Sequence, residues 1–268
     1  MAKLSKTAVY HFVKFAVRLA LFLAALTLYI VGRATGDHST FLSLLGAPWV
    51  LLSIGILFAV EMLLRFFPSS IESMGCQKQF RRNYLPKDES LTERVSLGSW
   101  RSTLAVAVFW LLLNGGIAAL YFTGVIDEMA LVLCSLFYSV ADMICILFFC
   151  PFQTWFMKNK CCGSCRIYNW DYVMMFTPLI LIPHPFARGL FAMAFVLFLA
   201  WEIAVWLHPE RFSPAANRAL SCERCKEKLC QHKHQLRSFL RKNAARIRLA
   251  ETLDRAKRRI RGDRGKTE

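Results

Sequence analysis

The feature that most restricts this chain is a set of unbroken apolar runs, of which LALFLAALTLYIVG at residues 19–32 is typical. A bilayer's hydrocarbon core is about 30 Å thick and is crossed by about 20 helical residues. Runs on that scale recur six times, near residues 12–32, 48–67, 103–124, 129–150, 168–186 and 188–207. They are continuous and do not alternate, so they fit helices whose backbone groups bond internally and not the strands of a barrel. With 56% hydrophobic residues and a mean hydropathy of +0.37, the sequence predicts an all-α, polytopic helical membrane protein with six transmembrane helices.

Basic residues near a span are retained on the cytoplasmic side. With the N-terminus placed inside, the inner segments hold 29 of the 34 Lys and Arg residues and the outer turns hold only Arg33 and Arg188. Both termini are therefore expected in the cytoplasm, in a multi-pass protein of the cytoplasmic (inner) membrane. Lys3 and Lys6 before an apolar run also resemble a signal peptide, but the run is long, carries Lys14 and Arg18, and lacks a clear A-x-A site. It is read as a span.

The net charge of +16 is concentrated at the C-terminus, where residues 209–268 hold 18 basic and 7 acidic side chains. Leu229, Leu236, Phe239, Leu240, Ile247 and Ala250 recur there at helical spacing among Arg and Lys. This predicts a basic amphipathic helix suited to anionic lipid headgroups, or a solvated helix that helps to set topology. No aromatic stacking pattern or RNA-binding signature accompanies it, which argues against nucleic acid. Residues after Ile260 have the composition of a disordered tail. The expected organisation is a six-helix transmembrane domain, 1–208, with an inner-face Cys-rich loop at 158–168, followed by a Cys-rich basic tail, 209–268.

Seven of the ten cysteines fall in the inner segments, and six form two clusters, Cys161/Cys162/Cys165 and Cys222/Cys225/Cys230. Cytoplasmic thiols stay reduced, so close spacing there points to metal binding or redox chemistry and not to structural disulfides. A C-x-x-C spacing brings two sulfurs to one ion if the backbone turns between them, and Gly163-Ser164 suits such a turn. The clusters flank one hairpin that leaves and returns to the same face, so they can meet. Cys162, Cys165, Cys222 and Cys225 would make a four-thiolate zinc site, with Cys161 and Cys230 in surplus and His232 and His234 as further candidate ligands. Six thiolates also suit an iron–sulfur cluster. Cys134, Cys145 and Cys150, within the fourth span, read as packing residues. Cys76 lies in the longest inner connection, which could bring it near the clusters.

A second constellation lies within the spans. Glu61, Asp142 and Glu202 sit on the second, fourth and sixth spans at similar distances from the inner ends, and Arg18 reaches a similar depth on the first. Ionisable groups at such depth are costly and face partners or cavities. The expectation is one layer of three carboxylates and one guanidinium, serving either as a proton or cation relay beneath the thiols or as glue between helices, with Asn114 as a further hydrogen-bonding group. The fifth span carries Pro178, Pro183 and Pro185 and should be bent and irregular at its outer end. His184 could ligate haem, but His11 and His208 lie at the opposite face and leave it without a mid-membrane partner.

Phosphate-loop, dinucleotide, zinc-protease and nucleophile-elbow motifs are all missing from the sequence. Three function classes remain: a membrane redox or electron-transfer component with a thiolate metal site, a structural or assembly protein clamped by zinc, and a proton- or cation-coupled transporter.

Overall fold

A computed structural model of the chain describes residues 6–35, 48–68, 74–87, 100–158 and 164–221. The chain divides into two units, Met1–Glu227 and Lys228–Glu268, and every described residue belongs to the first. The helices are α1 (Lys6–Thr35), α2 (Pro48–Leu63), α3 (Met74–Gln79), α4 (Trp100–Phe122), α5 (Glu128–Leu147), α6 (Asp171–Phe176) and α7 (Pro185–Leu207). Short 3-10 turns adjoin them, and a π turn runs from Phe152 to Phe156. Among the described residues there is no strand, only an isolated bridge between Pro86 and Asn217.

Four helices are long and apolar enough to cross a bilayer, within Ala8–Thr35, Trp100–Phe122, Glu128–Leu147 and Pro185–Leu207. That makes this a helical membrane protein. The other two expected spans are shorter. α2 has 16 residues, and the fifth is broken into a 3-10 turn at Tyr168–Trp170, the six residues of α6, and a second 3-10 turn at Thr177–Leu181.

Proline explains the break. Pro183 and Pro185 push the residues before them out of the helical region, and Ile182 and His184 both adopt extended conformations. His184 then caps α7: its Nδ1 accepts from the Phe186 amide at 3.3 Å, and Pro185 follows at the first helical position, where its missing N–H costs nothing. The α4–α5 hairpin is equally local in origin. Gly124 takes φ +75° in the turn, and the Asp127 carboxylate accepts from the Ala130 amide at 2.9 Å to start α5.

α7 runs through the main core, where Leu190, Ala194, Leu197 and Trp201 pack with Phe58 and Met62 of α2 and Tyr172, Met175 and Phe176 of α6. α1 lies along α5, with Ala25 and Leu133 buried between them. α4 is peripheral: it buries only Val106 and Asn114, while Leu111 and Leu112 are 67% and 71% exposed. In water such a face would be penalised; in hydrocarbon it costs nothing, and the polar groups gather inside instead.

One end of this bundle is capped by two connecting segments. Asn217, fully buried, donates from Nδ2 to the carbonyls of Lys78 (3.0 Å) and Arg211 (2.8 Å). Its Oδ1 accepts from the Ala219 amide at 3.0 Å, and backbone bonds join Lys87 to Ala216 and Arg218 to Leu85. Residues 209–221 thus pack with the transmembrane helices. The start of α1 and the ends of α2, α5 and α7 all lie at this capped end.

Candidate functional site

Near the capped end, charged side chains from four helices meet inside the protein. Lys14 and Arg18 are four residues apart on one face of α1, Glu61 lies on the last turn of α2, and Arg65 lies in the turn that follows it. Glu61 Oε2 accepts from Arg18 Nη2 at 2.7 Å, from Lys14 Nζ at 2.9 Å and from the Tyr172 hydroxyl at 2.9 Å. Arg18 Nη1 donates to Asp142 Oδ2 and to the Ser139 carbonyl, both at 3.1 Å. Arg65 Nη1 donates to Asp171 Oδ1 at 2.7 Å, and its guanidinium lies 4.7 Å from the centroid of the Tyr172 ring. Tyr172 therefore links the two halves, through its hydroxyl to Glu61 and through its ring to Arg65.

Arg18 and Arg65 are each only 2% exposed and Glu61 6%. Ions this deep persist only when paired and hydrogen-bonded. Among the described residues three bases face three acids, so this part of the network is formally neutral. The expected layer was acid-rich, three carboxylates to one guanidinium. Arg18, Glu61 and Asp142 do come together, but the structure adds Lys14, Arg65 and Asp171 and leaves out Glu202. Balanced charge favours joining α1, α2, α5 and α6 over relaying protons. His11, 2% exposed, has no hydrogen-bond partner for either ring nitrogen.

Glu202 belongs to a separate group. Arg166 forks onto its two oxygens, with Nη1 at 2.6 Å from Oε1, and the Trp170 indole N–H donates to Oε1 at 2.6 Å. Core residues of α7 fall on one stripe that includes Trp201. One residue further turns the side chain by about 100° around the helix, away from Glu61 and Asp142.

A cavity of about 130 Å³ adjoins the ion-pair network. Asp142 and Asp171 form part of its wall, the packed rings of Trp110 and Tyr138 another part, and Cys145, Cys150 and Cys165 also line it. Cys165 is 7% exposed. Cys150 Sγ accepts from the Gln153 amide at 3.3 Å. Cys145 and Cys150, expected as packing residues of the fourth span, thus border open space together with a member of the first cluster. Asn114 stays local, donating to the Trp110 carbonyl at 3.0 Å.

Of the six clustered cysteines, Cys165 alone is described; Cys161, Cys162, Cys222, Cys225 and Cys230 lie outside the described residues, as do the amphipathic tail helix and the side chain of Cys76. Among the described residues no three His, Cys, Asp or Glu side chains are grouped to hold a metal ion. The cavity thiols by themselves are therefore not a metal site, and a metal would need the other cluster members.

No protein-family model matches the chain, and no curated protein or solved structure is significantly similar to it.

Proposed function

We propose that this is a six-span protein of the cytoplasmic membrane, with both termini and the capped end inside, acting as a redox or electron-transfer component. Its thiols at the inner face, Cys161, Cys162, Cys165, Cys222, Cys225 and Cys230, hold an iron–sulfur cluster; zinc at the same thiols has no redox chemistry and belongs to the structural or assembly alternative. The basic C-terminal tail that follows residue 221 lies against anionic headgroups.

The observation that carries this reading is the position of Cys165. It is the one described member of its cluster, and it is buried at the wall of a cavity beside two further thiols, Cys145 and Cys150, and two carboxylates, Asp142 and Asp171. Binding to metal requires thiolates, and thiols release protons as they become ligands. The strong excess of Lys and Arg in the segments assigned to the inner side supports the orientation. The balance of three bases and three acids among the described residues makes a coupled transporter the weaker alternative.

Anaerobic purification and an absorbance spectrum test the reading. Broad visible absorbance that bleaches on reduction is the expected result. A colourless protein that holds zinc and shows no redox response would instead favour the zinc-clamped assembly role.

A further inference from the structure

We propose that a groove at the capped end, between α4 and α7, binds the headgroup of a membrane phospholipid carrying a primary ammonium. This site is separate from the thiol cavity and does not depend on the redox reading.

The groove has a volume of about 810 Å³, within the range of roughly 300–1,000 Å³ typical of ligand sites. Its walls follow the order of an amphiphile. Leu104 on α4 and Ile203 on α7, 48% and 55% exposed, offer apolar surface along the helices for acyl chains. Trp100 and Trp206 stand at the two rims, 70% and 83% exposed. Tryptophan so placed, at the ends of two span-length helices, marks the headgroup level of a bilayer.

At the same level, the groove contains the Arg166–Glu202 pair and Trp170. The pair is partly accessible, with side-chain exposures of 16% and 26%. A guanidinium carries five N–H donors and a carboxylate accepts at about four sites. The fork uses two of those donors, and Trp170 takes a further acceptor position on Oε1. Arg166 therefore retains donors suited to a phosphodiester, while Glu202 retains an acceptor position on Oε2 suited to one ammonium N–H.

The balance of charge selects the headgroup class. Arg166 and Glu202 are together neutral, so an anionic lipid would meet an uncompensated carboxylate. A quaternary ammonium has no N–H to give to Oε2. An ethanolamine headgroup supplies both a phosphate and a hydrogen-bonding ammonium, and the tryptophan faces add cation–π attraction.

The full chain, purified in detergent, would be titrated by native mass spectrometry with phosphatidylethanolamine, phosphatidylcholine, phosphatidylglycerol and soluble glycerophosphoethanolamine. Phosphatidylethanolamine should bind about ten-fold more tightly than the other two lipids, as expected for one charge-assisted hydrogen bond. Glu202→Gln should abolish that preference. Trp206→Ala, at an exposed rim position where folding is not at stake, should weaken phosphatidylethanolamine binding several-fold. Equal affinity for the three lipids, preference for phosphatidylglycerol, or unchanged binding in Trp206→Ala would overturn the proposal. Soluble headgroup binding as tightly as the lipid would overturn the assignment to the membrane.

Discussion

Glu61 is the residue on which the buried network turns, and Glu61→Gln tests it at nearly constant volume. The substitution removes the charge whose single oxygen receives Arg18, Lys14 and Tyr172 at 2.7, 2.9 and 2.9 Å. Tyr172 can still donate to the amide oxygen, and Arg18 keeps Asp142 and the Ser139 carbonyl. Lys14, 7% exposed, loses its ion pair with Glu61. Breaking one side of a buried pair costs up to about 3–5 kcal/mol. For a chain of this length, about 2–4 °C per kcal/mol converts that cost to a fall of up to roughly 6–20 °C in Tm. Thermal unfolding of the full chain in one detergent, followed by size-exclusion recovery, would measure it. Glu202→Gln is the internal control: its pair is more exposed than Arg18–Glu61 and the substitution should cost less. Lys14→Met combined with Glu61→Gln should recover part of the loss, because the buried ammonium that faced Glu61 is removed with it. Glu61→Gln unfolding at the parental temperature, or a double variant no better than the single, would refute the account of a charge-compensated network.

Asn217→Ala should cost about 2–3 kcal/mol, since it leaves the Lys78 and Arg211 carbonyls without their buried donor; limited proteolysis of the connections at residues 74–87 and 209–221 should accelerate accordingly. Asp127→Ala should cost about 1 kcal/mol through loss of the α5 N-cap, and Asp127→Asn should restore most of it; the same unfolding assay reads both. Removing the rim tryptophan at position 206 should reduce retention of phosphatidylethanolamine without lowering Tm, a separation that native mass spectrometry and thermal unfolding together would detect.

The spans of α1, α4, α5 and α7 were legible because length and hydropathy are properties of single segments. The fifth was legible as irregular from its prolines, but not as a six-residue helix between 3-10 turns, since proline disfavours helix without stating what replaces it. Depth alone placed Arg18, Glu61 and Asp142 together. It misplaced Glu202 because depth says nothing about rotation about the axis, and Glu202 lies one position past the core stripe. The missing partners did leave a trace: Lys14 and Arg18, spaced by four, put two bases on one helix face, which suits the acid Glu61. Asp171 and Tyr172 left none, because a residue at the mouth of a broken span has no helical phase from which to read its direction. The cavity was equally hidden, since Cys145 and Cys150 look in sequence like any small apolar residue of a span. Arg166 came into view only through its partner, which lies far along the chain.

The central claim is that the inner-face thiols hold a redox centre, and metal content per chain tests it most directly. Stoichiometric iron, with visible absorbance that bleaches on reduction, is predicted in anaerobically purified full-length protein and should be lost or sharply reduced in Cys165→Ser; tightly held zinc without a redox response would contradict the redox role. Protein that is free of metal, with the stability of Cys165→Ser unchanged from the parent, would contradict it.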